Sequence, residues 1–341
     1  MRNEATRIGI IGAGRIGKVH AQNIALRIPN AEIAAITDMD RDAAEALAHS
    51  CSIPVIADSA AEIFDHSAID AVLICSPTHT HPDLIVEAAQ HGKHIFCEKP
   101  IALTLPEIDR ALTAVKVAGV QLQVGFNRRF DANFARLRKA IAEAEIGKPS
   151  LLHIISRDPA PPTLAYIQNS GGIFLDMTIH DFDMTRYLLA EEPQEIYTMG
   201  GVMIDPEIGR VGDLDTALTL LRFQSGAMAV IDNSRKASYG YDQRAEVLGP
   251  LGKIETMNCF PNQAILSDGR SVRRDLPLNF FMDRYTDSFV EEIRQFVAAL
   301  REHRPMPVTG DDGRMAVVMA LAARQSYLER QPVCIQNIGE R

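Results

Sequence analysis

Hydrophobic positions along this chain fall into two textures. In the first third they come as short and mostly continuous runs: Ile8 to Ile11, Ile33 to Thr37, Pro54 to Ile56, Ala71 to Cys75, His94 to Cys97 and Gln121 to Gly125. Runs of this kind mark strands buried on both faces, as in a parallel sheet covered by helices. Between them the spacing is helical, at Arg15 to Ile28, Arg41 to Ser50, Ala60 to Asp65, Asp83 to His91 and Leu105 to Ala118. Thr104 and Glu107 stand at capping-box spacing and predict the start of the last of these. Strand and helix in alternation predict a doubly wound parallel sheet.

After Phe126 the texture changes. An amphipathic helix is predicted over Asp131 to Glu145, ending at Gly147-Lys148-Pro149, and from there strand follows strand. The strands are Leu151 to Ser156, Glu195 to Val202, Thr216 to Phe223, Ala227 to Asn233, Arg244 to Leu248 and Lys253 to Met257. With hairpin turns such as Gln224-Ser225-Gly226, they predict a mainly antiparallel open sheet. Two long helices follow, Asp283 to His303 and Asp311 to Arg330. The fold class is thus α/β: a doubly wound parallel sheet over residues 1–126, then an α+β domain over 127–341, whose helix 311–330 can pack back on the first domain.

The first strand runs directly into Gly12-Ala13-Gly14-Arg15-Ile16-Gly17 and the first helix. In such a turn the first glycine permits the bend, the second lets backbone approach a pyrophosphate, and the third lets helix pack on strand. The helix N-terminus adds free N–H groups and a positive dipole end. Asp38 closes the second strand roughly 20 residues on, where an acidic group accepts ribose hydroxyls. This whole unit is a Rossmann dinucleotide-binding fingerprint. The carboxylate of Asp38 points to NAD over NADP, with Arg41 nearby as the counterweight.

Composition narrows the function classes. At 341 residues, 46% hydrophobic and 23% charged, the chain is long enough for two cored domains. A net charge of -9 argues against a nucleic-acid partner. The basic pairs Arg128-Arg129, Arg138-Lys139, Arg235-Lys236 and Arg273-Arg274 are scattered. Cys51, Cys75, Cys97, Cys259 and Cys334 form an odd set with no CxxC spacing, which predicts reduced thiols in a cytoplasmic protein. The polar start through Arg7 leaves no room for a signal peptide, and the apolar run Met315 to Ala323 is too short to span a bilayer.

Candidate chemistry clusters in three places. The strand ending at Cys97 delivers Glu98-Lys99-Pro100 to the sheet edge where ligands lie; the plain alternative for Lys99 is a surface lysine in a loop. Ser76-Pro77-Thr78 and His81 follow another strand to the same edge and are read as cofactor contacts through backbone and hydroxyls, since two histidines in a Pro-bracketed loop make an incomplete metal site. In the second domain Asp176 and His180 stand at i and i+4, one turn apart on one helix face. A histidine beside a carboxylate suits proton transfer with an alcohol. A capping aspartate with an incidental histidine is the plain alternative, and a metal site lacks a ligand signature.

Taken together, the glycine fingerprint, Ser76-Pro77-Thr78, Glu98-Lys99-Pro100 and the Asp176 to His180 pair resemble the glucose-fructose oxidoreductase, inositol dehydrogenase and rhizopine catabolism family over essentially the whole chain. The stretches Ser156 to Pro162 and Ser170 to Met184 look like its inositol 2-dehydrogenase branch. Gly125 to Phe130 and Tyr239-Gly240-Tyr241-Asp242 agree with that branch. The resemblance implies an NAD-dependent enzyme that oxidises a cyclic polyol, myo-inositol to 2-keto-inositol, without a metal. It implies that Lys99 holds the reacting hydroxyl, that Asp176 binds a substrate hydroxyl and that His180 is the general base. Asn127, Arg128, Asp158 and Tyr239 or Tyr241 line the polyol pocket. Gly12, Gly14, Arg15, Ile16, Gly17, Asp38, Ser76, Pro77, Thr78, His81, Glu98 and Lys99 hold NAD. A tetramer formed through the second domain's sheet is also implied. Met177 stands where some relatives carry a hydroxyl-bearing residue. Two other readings stay open: a different sugar or polyol oxidoreductase on the same scaffold, and a non-catalytic NAD-binding regulator.

Overall fold

The structure, a computed structural model, describes residues 5–339; the start of the polar N-terminal stretch lies outside them. The first sheet comprises β1 (Thr6–Ile11), β2 (Ala31–Thr37), β3 (Val55–Ile56), β4 (Ala71–Ile74), β5 (His94–Cys97) and β6 (Leu122–Val124). They pair in parallel in the order β3-β2-β1-β4-β5-β6. The order reverses between β1 and β4, and ligands bind beyond the carboxyl ends of strands at such a switch point. Gly12, Ser76 and Glu98 all follow strand ends at this edge.

The second sheet comprises β7 (Leu151–Arg157), β8 (Pro193–Gly201), β9 (Thr216–Phe223), β10 (Met228–Ser234), β11 (Asp242–Gly249) and β12 (Gly252–Thr256). A small hairpin, β13 (Ile265–Ser267) with β14 (Val272–Arg274), stands apart, and β15 (Val333–Cys334) joins the edge of the large sheet. The large sheet runs β12-β11-β7-β10-β9-β8-β15, with β7 and β10 parallel and the other neighbours antiparallel. The turn Gln224-Ser225-Gly226 joins β9 to β10, with Gly226 at φ 88° supplying the left-handed residue.

Where the sequence suggests one cut after residue 126, the compact units cross the chain three times. One contains the chain through Phe130 and Asp287–Val317, the other Asp131–Thr286 and the chain from Val318 onward. The reason is the apolar face of the helix Thr286–Arg301: Val290, Ile293, Phe296 and Val297 join one core with Ile8, Ile10, Ile24 and Phe96. The helix Leu105–Ala118 starts where the Thr104 and Glu107 spacing puts it, with Thr104 at the N-cap, but the cap itself is made differently. Thr104 makes no cap to backbone, and its hydroxyl donates to Glu107 Oε2 at 2.6 Å. Among the described residues no helix is long and apolar enough to cross a membrane.

Candidate active site

In the first unit the glycine turn has the shape its sequence demands. Gly12 sits at φ 109°, and a Cβ there would lie 2.7 Å from the Cys75 carbonyl. A Cβ on Gly17 would lie 2.0 Å from the Gly12 oxygen, so only glycine lets the helix Arg15–Arg27 approach this closely. Gly14 faces open space, and the helix start carries no side-chain cap, which leaves its N–H groups for an anion. A turn with a backbone-tight base and an open rim fits a dinucleotide's pyrophosphate. Arg15 is exposed and Ile16 half-buried on the same rim.

Asp38 accepts hydrogen bonds from the backbone N–H of Ala13, through Oδ2, and of Asp40, through Oδ1. It thus braces the turn from the end of β2. Arg41 donates to Glu45 at 2.9 Å and to Asp58. Both carboxylates hold its guanidinium charge and push its pKa up, Asp58 foremost.

The loop after β4 is closed by its own hydrogen bonds. Ser76 Oγ and Thr80 Oγ1 lie 2.6 Å apart, and Thr80 donates to the Pro77 carbonyl at 2.8 Å; Thr78 opens the short turn between them. His81 turns its ring inward. It is buried, with Nδ1 2.8 Å from the Pro100 carbonyl and Nε2 2.8 Å from the Ser76 carbonyl. The ring stands between the two loops, its neutral form donating to one of these carbonyls at a time; burial lowers its pKa, and the loop's backbone and hydroxyls remain for a cofactor. Lys99 is half-buried at the end of β5, and Asn127 and Arg128 are buried in a short 3-10 turn after β6.

Beside Lys99, three side chains that were not read together from sequence converge. His20 Nε2 lies 2.8 Å from Glu98 Oε1 and 3.9 Å from Glu292 Oε1. Their ligand atoms all fall within 4.8 Å of one another.

In the second unit Asp176 occupies a π-helical turn, Phe174–Thr178, that leads into the α-helix Ile179–Leu189. Wide turns of this kind recur at functional sites. Tyr166 donates its hydroxyl to Asp176 Oδ1 at 2.9 Å, and the fully buried Arg235 reaches Asp176 Oδ2 at 3.4 Å and Asp213 Oδ2 at 3.1 Å. Asp213 Oδ1 in turn accepts from the Ile173 N–H at 2.9 Å. It fills the space beside Gly172, whose φ is 81° and where a Cβ would be 2.6 Å from that oxygen. One buried cation therefore holds the aspartate and the start of its helix in register.

His180 is half-buried on that helix. Its neighbours are locked to β10 through Asn233, which accepts from Thr178 Oγ1 and donates to Asp181 Oδ2, both at 2.8 Å. Asp158, at the end of β7, is half-buried, with its backbone joined to Ser234 and Ala237. Tyr239 departs from expectation: its hydroxyl donates to Asp242 at 2.6 Å and accepts from Arg157 at 3.1 Å. Burial and then the Asp242 bond raise its pKa, and the group belongs to an ion-pair cluster separate from Asp176. Tyr241 is buried with its ring edge-on to Tyr285. Sequence reasoning missed Tyr166, Asp213, Asn233 and Arg235; the Arg235-Lys236 pair was visible, but only as scattered basic charge.

Residues 6–126 match the family described as "Oxidoreductase family, NAD-binding Rossmann fold", and residues 134–255 match the "GFO/IDH/MocA C-terminal domain". The chain is 46% identical to myo-inositol 2-dehydrogenase of Thermotoga maritima, covering 97% of this chain and 99% of that one. It is 44% identical to inositol 2-dehydrogenase of Rhizobium meliloti, covering 96% and 99%. The crystal structure of scyllo-inositol dehydrogenase from Lactobacillus casei, with bound NAD(H) and scyllo-inositol, superposes with a TM-score of 0.91 at 28% identity, covering 98% of this chain and 100% of that one.

Proposed function

The chain belongs to the GFO/IDH/MocA family of NAD-binding oxidoreductases, and we propose that it oxidises one ring hydroxyl of an inositol, myo-inositol to the 2-keto product. The full-length likeness to two inositol 2-dehydrogenases carries this reading. The glycine turn, the helix start behind Gly14 and Asp38 hold the dinucleotide, and when bound it supplies the hydride acceptor.

The protein's own groups do the rest. His180, as neutral imidazole, takes the proton of the reacting hydroxyl. The Lys99 ammonium holds that oxygen and favours its loss of a proton. Asp176, aimed by Arg235 and Tyr166, accepts from a neighbouring substrate hydroxyl. Asn127, Arg128 and Asp158 contact the remaining hydroxyls. Tyr239, committed to Asp242 and Arg157, is left out.

The outer face of the large sheet supports self-association into a homo-oligomer, a tetramer on family likeness. Met199, Leu218, Leu220, Met228 and Leu248 lie exposed on it, and apolar patches of this kind mark protein contacts. Five cysteines, all free, suit a reducing cytoplasm.

The deciding experiment is NAD reduction by purified protein across inositol isomers and common hexoses. Turnover of myo-inositol, faster as pH rises and lost in Lys99→Ala and His180→Ala, is expected. Activity on an aldose with none on any inositol would replace this reading by a sugar oxidoreductase. The scyllo isomer is the nearest second substrate, favoured by the bound scyllo-inositol in the L. casei structure.

A further inference from the structure

The buried group beside Lys99 is not accounted for by the chemistry above. His20, on the helix Arg15–Arg27, is fully buried with its ring edge-on to Phe96 at 5.2 Å and Phe289 at 6.0 Å. Its Nε2 lies 2.8 Å from Glu98 Oε1. Glu292, on the helix Thr286–Arg301, is also fully buried, and neither of its carboxyl oxygens has a hydrogen-bond partner. Gln123 donates to the Glu292 backbone carbonyl at 3.0 Å rather than to the carboxyl group. The Glu98 carboxylate also rests on Gly125, where a Cβ would stand 3.0 Å from Oε2 and 3.2 Å from Oε1.

We propose that His20, seated against Glu292, is a positioning residue for the reaction: it clamps the Glu98 carboxylate against Gly125 and so fixes the adjoining peptide from which Lys99 projects. The backbone of Glu98 is held from the other direction, its N–H donating to the Ile74 carbonyl at 3.0 Å. A side chain pinned at one end and a backbone pinned at the other leave the next residue little freedom, which is what aligning an ammonium with a reacting hydroxyl requires. Glu292 completes the seat as a neutral acid. Burial and then the Glu98 charge raise its pKa well above the carboxylate range, and the groups that face it are Glu98, His20 and the Cys75 thiol, itself held neutral by burial. Three such ligand atoms also describe a cation site. Against it stands the direct 2.8 Å hydrogen bond between two of them, which closes the space an ion would fill with bonds of about 2.0–2.2 Å to each.

The inference rests on Lys99 acting on the substrate as proposed above. Its test is steady-state kinetics with myo-inositol and NAD on the full chain and on Lys99→Ala, His20→Phe, His20→Gln and Gly125→Ala, with NADH binding followed by fluorescence. His20→Phe should lower kcat by about ten- to a hundredfold, the effect of a small misplacement, while NADH affinity stays within about twofold. His20→Gln, which keeps a donor nitrogen near the same place, should recover most of that loss. Infrared spectra of the protein without dinucleotide should show a carboxylic-acid band that disappears in Glu292→Gln.

Should His20→Phe fail to fold, Gly125→Ala decides, because its methyl group would push on the same carboxylate and should lower kcat in the same selective way. Wild-type kcat in whichever of these folds overturns the proposal. So does a stoichiometric transition metal that is lost in Glu292→Gln. Lys99→Ala with normal turnover overturns the reading of Lys99 and this inference with it, whereas an inactive Lys99→Ala beside a fully active His20→Phe overturns the inference alone.

Discussion

The six-stranded sheet of the first unit is buried on both faces, with Ile8, Ile10, Val72, Leu73, Ile95 and Phe96 wholly withdrawn from solvent, whereas the seven-stranded sheet alternates along its long strands. On β9, Ala217, Thr219 and Leu221 point into the unit while Leu218 and Leu220 point out. A sheet covered on both sides has only its ends to offer, and the glycine turn, the Ser76 loop and Lys99 all follow strand ends. A sheet with one bare face can divide its labour. Its inner side carries Asn233 and, at the end of β10, Arg235, which hold the Asp176 and His180 helix, and its outer side exposes apolar side chains to solvent.

The same chemical insult should therefore act very differently on the two sheets. Ile10→Asp puts an unpaired carboxylate between two covered faces, and a loss of more than about 4 kcal/mol is expected, read as loss of the cooperative urea transition. Arg235→Met is the corresponding insult to the inner side of the open sheet. It strands the Asp176 and Asp213 carboxylates, and should cost about 3 kcal/mol in urea denaturation together with most of the turnover.

Glu292→Gln sharpens the contrast between a carboxylate that is paired and one that is not. Because the folded pKa of Glu292 is raised, its neutral form stabilises the protein at low pH, and that contribution is lost as pH rises from about 4.3, the unfolded value, through the folded one. The glutamine variant does not titrate, so its melting temperature should gain on that of the wild type as pH increases; a difference that is flat with pH would refute the assignment. Smallest in stability terms is Leu220→Glu on the outer face, with a change under about 0.5 kcal/mol. Light scattering should nevertheless show a smaller particle, and an unchanged mass would remove that face from the assembly.

What could be read from the sequence was local in cause. The glycine turn needs only residues within one βαβ unit, and parallel strands announce themselves as apolar runs because both faces are covered. The pairing of Asp176 with Arg235, by contrast, joins residues 59 apart. No local spacing encodes it, and the arginine reads as an ordinary surface charge until β10 is folded. The helix Thr286–Arg301 shows the same limit: its amphipathic stripe was legible, but the core that stripe joins lies at the other end of the chain. The inward turn of His81 was not legible either, since nothing in its loop announces that two carbonyls will flank the ring.

The wide turn at Phe174–Thr178 makes the phase of one helix adjustable. Removing a single residue there would let the segment relax into a regular helix with its hydrogen bonding intact, so the fold would tolerate the deletion. Where the residue removed is Met177 or Thr178, Asp176 and His180 would nonetheless stand three residues apart instead of four, and the bearing of one relative to the other would change. Chain length at this point thus acts as a dial on chemistry, and one-residue deletions between Asp176 and His180 would return well-folded proteins in which carboxylate and base meet the substrate at a different angle.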